Sequence, residues 1–256
     1  MRIIVEKDYQ AMSKKAALMV ASQITLKANS NLGLATGATP LAMYNNLIEM
    51  YEQNEVDFSE VQSFNLDEYC GLAENHPNSY HYYMYDNFFN NINIKEKNVH
   101  IPNGTAENFN KECRNYENSI KRARGIDLQI LGIGSNGHIG FNEPAENLNV
   151  ATEVVDLKSE TIDANSRYFD SKDEVPKKAI SMGMATILKA DRIVLLASGK
   201  NKAEAIKNTI SGKISTKVPA SLLQTHPKIT ILLDKEAASL INKEELSADC
   251  HFKICD

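Results

Sequence analysis

The stretch Ile126-Asp127-Leu128-Gln129-Ile130-Leu131-Gly132-Ile133-Gly134-Ser135-Asn136-Gly137-His138-Ile139-Gly140-Phe141-Asn142-Glu143-Pro144 decides how the rest of the chain reads. It starts as a short, nearly continuous apolar run, the pattern of a strand covered on both faces in a parallel sheet. The pattern then breaks into glycines, two amides, an imidazole and a carboxylate. In open α/β sheets ligands bind beyond the carboxyl ends of strands, so His138 and Glu143 are candidate site residues. Gly132, Gly134 and Gly137 fit the dinucleotide-binding spacing, but that fingerprint needs a helix to open at its last glycine. Here Phe141-Asn142-Glu143-Pro144 follows, and Pro144 lacks the donor a helix would use, so no nucleotide cofactor is expected.

Working outward, apolar strands alternate with segments of helical periodicity. Strands are expected at Arg2 to Val5, Leu32 to Ala35, Val61 to Leu66, Val99 to Ile101, Arg192 to Ala197 and Ile229 to Leu233, with an outlying one over Asn149 to Val155. Helical spacing covers Tyr9 to Lys27, a segment from Leu41, Tyr80 to Phe89, Ala106 to Ala123, Thr161 to Tyr168, Ala179 to Lys189, Ala203 to Ile210 and Pro219 to Leu223. This alternation predicts a single doubly wound, mostly parallel α/β domain (Rossmann-like, with flanking helices) over residues 1–241, followed by a loosely held tail over 242–256.

Polar groups collect at the predicted strand ends. Thr36-Gly37-Ala38-Thr39-Pro40 joins a strand to a helix, with Thr39 suited to the N-cap and Pro40 to the first helical position. Such a turn can present free N–H groups to a phosphate, or be an ordinary βα connection; spacing alone leaves both open. Asp67 stands where a carboxylate can act as a base, whereas its neighbour Glu68 is better read as a loop cap. Lys202 falls in the first turn of a helix, an unfavourable place for a cation unless an anion shares it.

Composition removes several classes. The net charge of −5, with both signs interspersed, offers no basic stripe for nucleic acid. No apolar stretch approaches the roughly 20 residues that cross a bilayer. Cys70, Cys113, Cys250 and Cys255 lack zinc or disulfide spacing, and no cluster of His and carboxylates stands out as a metal site. A cytoplasmic protein is expected, acting by proton transfer on a phosphorylated small molecule.

The segments Thr36 to Pro40, Phe64-Asn65-Leu66-Asp67-Glu68-Tyr69, Gly132 to Pro144, Ala164-Asn165-Ser166-Arg167, Gly199-Lys200-Asn201-Lys202-Ala203 and Leu223-Gln224-Thr225-His226-Pro227 closely resemble the glucosamine-6-phosphate deaminase family, in its order, over roughly residues 1 to 240. The resemblance implies conversion of glucosamine 6-phosphate and water into fructose 6-phosphate and ammonia, without a redox or nucleotide cofactor. It also implies roles: His138, oriented by Glu143, opens the pyranose; Asp67 moves the proton from C2 to C1. Thr36, Gly37, Ala38 and Thr39 hold substrate oxygens, and Arg167 and Lys202 neutralise the phosphate. Many members have Asp where this chain has Asn136, so a less basic His138 and an altered pH profile are expected. Some members are hexamers activated by N-acetylglucosamine 6-phosphate through basic residues after the Glu-Pro. Here Ala145 to Asp156 carries Glu146, Glu153 and Asp156 and no Lys or Arg, so no such activation is expected, in a monomer or homo-oligomer. The alternatives are a 6-phosphogluconolactonase, whose related loop usually continues with a Ser-Leu-Phe-Pro type segment, and a non-catalytic sugar-phosphate sensor.

Overall fold

A computed structural model describes residues 1–166, 169–242, 244, 246 and 250–255. Its strands are β1 (Arg2–Glu6), β2 (Asn31–Leu34), β3 (Gln62–Asn65), β4 (Asp67–Tyr69), β5 (Val99–His100), β6 (Leu128–Leu131), β7 (Glu153–Asp156), β8 (Lys178–Ser181), β9 (Ile193–Ala197), β10 (Ile229–Asp234) and β11 (His251–Ile254). Its helices are α1 (Tyr9–Leu26), α2 (Ala38–Glu52), α3 (Tyr80–Asn87), α4 (Phe109–Arg122), α5 (Ser159–Asn165), α6 (Met184–Leu188) and α7 (Ala203–Thr209). Eight strands form a parallel sheet in the order β11-β1-β10-β9-β6-β2-β3-β5.

Side chains alternate across this sheet, and β1, β6, β9 and β10 each feed two cores. On β9, Ile193, Leu195 and Ala197 join a cluster containing Tyr116 and Ile120 of α4, Ile187 of α6 and Ile206 of α7. Val194 and Leu196 point the other way, into a cluster with Met12, Ala16 and Val20 of α1, Met43 and Leu47 of α2 and Met84 of α3. Burial on both faces is why these strands read as continuous apolar runs. Among the described residues no helix is long and apolar enough to cross a membrane.

The chain passes from β2 outward to β3 and β5, then returns to β6 on the other side of β2 before continuing to β9 and β10. The order reverses between β2 and β6, and the connections leaving these two strands diverge around a crevice. That crevice is where such sheets bind ligands.

Three expectations are corrected. Ala179 to Lys189 is not one helical piece: β8 ends at Ser181, and α6 begins only after Gly183. A side chain at Gly183 would put its Cβ 2.3 Å from the Ala151 carbonyl, so this break is a close backbone crossing. Glu68 does not lie in a loop: with Asp67 it opens β4, which leaves the main sheet and builds a small antiparallel sheet in the order β4-β8-β7. The tail is not loosely held throughout: β11 pairs in parallel with β1, with His251 N donating to Met1 O (3.0 Å) and Cys255 N to Val5 O (2.8 Å).

Candidate active site

Beyond β2 the chain turns at Gly37, whose φ of +95° lies in the region glycine reaches without strain. Gly37 is the N-cap of α2, so the helix opens at Ala38, earlier than the Thr39 cap and Pro40 start the sequence suggested. Gly37 has no side chain with which to cap the helix N-terminus. The first-turn N–H groups of Ala38 and Thr39 stand at the positive end of a 15-residue helix, where an anion would be favoured.

Beyond β3 the backbone changes sheets. Leu66 N donates to Leu34 O (3.1 Å) in the main sheet, and Met182 N donates back to Leu66 O (2.8 Å). Asp67 follows, 6% exposed and opposite Ser181 in the small sheet. Burial, with the neighbouring Glu68 adding to it, pushes the Asp67 carboxyl up to about 8. Glu68 does cap, but from a strand and not from a loop: its carboxylate accepts from Tyr69 N (2.8 Å), Tyr80 N (2.9 Å) and His81 N (2.8 Å), tying β4 to the start of α3. Burial still raises it to about 7 against those three bonds.

Beyond β6 no helix follows; the chain folds back on itself. Gly134 N donates to His138 O and Gly137 N to Gly134 O, both at 3.0 Å. The His138 ring lies over Gly134, where an added Cβ would stand 2.3–2.6 Å from ring atoms. The glycine therefore makes room for the imidazole. Gly140, with φ +55°, faces the base: a Cβ there would be 3.3 Å from Asp67 Oδ2 and 3.1 Å from Ser181 Oγ. This puts the loop carrying His138 against Asp67. Tyr69, Tyr80 and Phe141, with centroids 4.8–6.1 Å apart, make an apolar wall beside it.

His138 Nδ1 lies 3.2 Å from Glu143 Oε1, off the line of a hydrogen bond, so the contact is one of charge and orientation. Glu143 is only 7% exposed. Burial would raise its carboxyl, but contact with His138 and hydrogen bonds from Thr161 and Asn136 outweigh this and hold it at about 2. Asn136 reaches the carboxylate: its Nδ2 donates to Glu143 Oε2 (2.8 Å) while its Oδ1 accepts from His138 N (3.1 Å). It thus orients the imidazole through Glu143 and the loop backbone. In Asn136→Asp an amide donor would become a second carboxylate at hydrogen-bond distance from Glu143. The change should alter the pH profile of kcat/KM. An unmoved profile would mean that Asn136 does not govern the imidazole.

Beyond β9, Lys202 is the N-cap of α7, one residue before the helix and not within its first turn. The turn before it is fixed by Asp234, which accepts from Gly199 N (3.0 Å). Because β2, β3, β6 and β9 are parallel neighbours, the segments carrying Thr36 to Thr39, Asp67, His138 with Glu143, and Lys202 leave the same end of the sheet. Arg167, the other expected phosphate ligand, lies outside the described residues. Thr161 and Ser181 escaped the sequence reading, because short polar side chains in ordinary helix and strand contexts give no signal of a long-range partner. A separate cleft of about 900 Å³ opens at the opposite end of the sheet, beside Arg2, Lys15, Arg192 and Lys228. It contains none of the candidate residues, so chemistry and not cavity size places the site.

The sequence profile of the glucosamine-6-phosphate isomerase/6-phosphogluconolactonase family matches residues 6–231, and the chain belongs to that family. Within it, the glucosamine-6-phosphate deaminase of Halothermothrix orenii is 65% identical over 241 residues, covering 94% of this chain and 100% of the relative. The solved structure of a monomeric glucosamine-6-phosphate deaminase superposes with a TM-score of 0.91 at 47% identity, over 94% of this chain and 100% of that one. The 6-phosphogluconolactonase of Thermotoga maritima shares the fold, with a TM-score of 0.73, at 19% identity over 92% of this chain and 100% of its own.

Proposed function

We propose that this chain is an enzyme that converts glucosamine 6-phosphate and water into fructose 6-phosphate and ammonia. The observation that carries the reading is Asp67, a buried carboxyl raised to about 8 and set against the loop that holds His138 and Glu143. A base for a carbon acid needs a pKa near the working pH, and burial supplies it here. His138 moves the anomeric hydroxyl proton to the ring oxygen as the C1–O5 bond breaks. Glu143, ionised across the neutral range, steadies the imidazolium that forms. Asp67 then takes the C2 proton of the open chain and returns it at C1, leaving an imine at C2. Water adds there and ammonia departs, with no redox change.

The donors of Thr36 to Thr39 hold substrate oxygens, and Lys202, with Arg167, neutralises the phosphate. The acidic segment from Ala145 to Asp156 would repel a phosphorylated effector, so the rate should not respond to N-acetylglucosamine 6-phosphate. We place the enzyme in the cytoplasm, where its sugar-phosphate substrate would be retained. Kinetics on a pair of substrates test the reading. Glucosamine 6-phosphate should exceed 6-phosphogluconolactone in kcat/KM by about 10³-fold or more, because opening a lactone needs attack of water at its ester carbonyl, a step in which a C2-to-C1 proton transfer by Asp67 has no part. Preference for the lactone would overturn it.

A further inference from the structure

The peptide units of the loop after β2 are held from behind by three tyrosines. Tyr44 Oη donates to Ala35 O (2.6 Å), Tyr83 Oη to Gly37 O (2.7 Å) and Tyr9 Oη to Ala38 O (2.8 Å). These phenols come from α2, α3 and α1, the helices packed on one face of the sheet. Tyr9 Oη also accepts from Ala42 N (3.1 Å), so its hydroxyl lies across the first turn of α2. Tyr44 is fully buried and stacked on Phe88, whereas Tyr9 and Tyr83 are half-buried and their hydroxyls can be removed with little effect on packing.

A peptide unit is planar and trans, so the carbonyl of one residue and the N–H of the next point in opposite directions. Holding Ala35 O therefore aims Thr36 N–H, holding Gly37 O aims Ala38 N–H, and holding Ala38 O aims Thr39 N–H. Gly37, with φ +95° and open space where a side chain would stand, gives the turn little stiffness of its own. Something else must fix its flanking peptide planes.

We propose that Tyr83 and Tyr9 are positioning residues that turn the loop into a surface of donors for the anionic or hydroxyl oxygens of the substrate. This rests on the functional reading above. With the carbonyl lone pairs turned away and occupied, an incoming oxygen meets N–H groups and the positive end of α2 instead of a repelling carbonyl. Pre-set donors need no rearrangement when the substrate arrives, so the gain appears in binding.

The test uses Tyr83→Phe and Tyr9→Phe, which remove one hydroxyl each and keep the ring. KM for glucosamine 6-phosphate should rise about fivefold in each and more than tenfold in the double variant, with kcat within about twofold. Tyr82→Phe, exposed on the same helix, should leave both constants unchanged. The ligand-free proteins give a second readout, because an amide ¹⁵N shift responds to hydrogen bonding at the carbonyl of its own peptide unit. Tyr83→Phe should move the Ala38 resonance and Tyr9→Phe that of Thr39. Unchanged KM would overturn the proposal, as would unmoved resonances or a fall in kcat at constant KM. Failure of the wild type to release ammonia would instead remove the functional reading, and the ligand-free resonances would still decide whether the tyrosines hold the loop.

Discussion

Asp67→Asn is expected to lower kcat for ammonia release from glucosamine 6-phosphate by about 10²–10⁴-fold, the range typical of a lost general base. The change preserves shape and removes only the ability to accept a proton from carbon. In the wild type the acid limb of kcat/KM should follow a carboxyl raised to about 8 by burial, with Glu68, raised to about 7, sharing the titration. That limb should disappear from the residual activity of Asp67→Asn. Stability should move the opposite way. A carboxyl whose folded pKa is raised costs nothing below its unfolded value of 3.8, where both states are protonated. The cost grows as pH rises and is complete above about 8. The melting temperature of Asp67→Asn minus that of the wild type should therefore increase between pH 4 and pH 8. Thermal melts at several pH values check this, and a constant difference would contradict the burial argument. A buried acid kept for chemistry at the expense of stability is the usual pattern at such sites.

Gly134→Ala should disable ring opening without replacing a catalytic group. Its Cβ would stand 2.3–2.6 Å from three ring atoms of His138, so the imidazole must move. Gly134 is not among the positive-φ glycines, so alanine suits its backbone and the steric conflict acts alone. Displacing a positioned acid–base group by about 1 Å can cost on the order of 10²-fold, and a loss of that size in kcat/KM is expected. Combining Gly134→Ala with His138→Ala should add little to His138→Ala alone, because both act through the same ring. Independent, multiplying losses in this cycle would show that Gly134 matters for another reason.

The sequence exposed the parts of the fold governed by burial on both faces. β6, β9 and β10 are continuous apolar runs because helices cover both sides of the sheet, and the polar loop after β6 stands out against that background. The small sheet was not legible. β4 has three residues, β7 is exposed at both ends, and Ala179 to Ser181 fits a strand or a buried helix equally well. β11 escaped because an exposed edge strand shows little hydrophobic pattern. Within the site, Asp67, His138 and Glu143 were visible as titratable groups at strand ends. The contact of Asn136 with Glu143 and the bond from Thr161 were not, since each depends on how the loop folds back.

The measurement that most directly tests the account is the product balance of the purified wild-type chain with glucosamine 6-phosphate and no added cofactor. Ammonia and fructose 6-phosphate, assayed in the same vessel over time, should appear in a one-to-one ratio until equilibrium. Ammonia without fructose 6-phosphate, or neither product from a chain that still binds the phosphosugar, would contradict a proton transfer from C2 to C1 by Asp67.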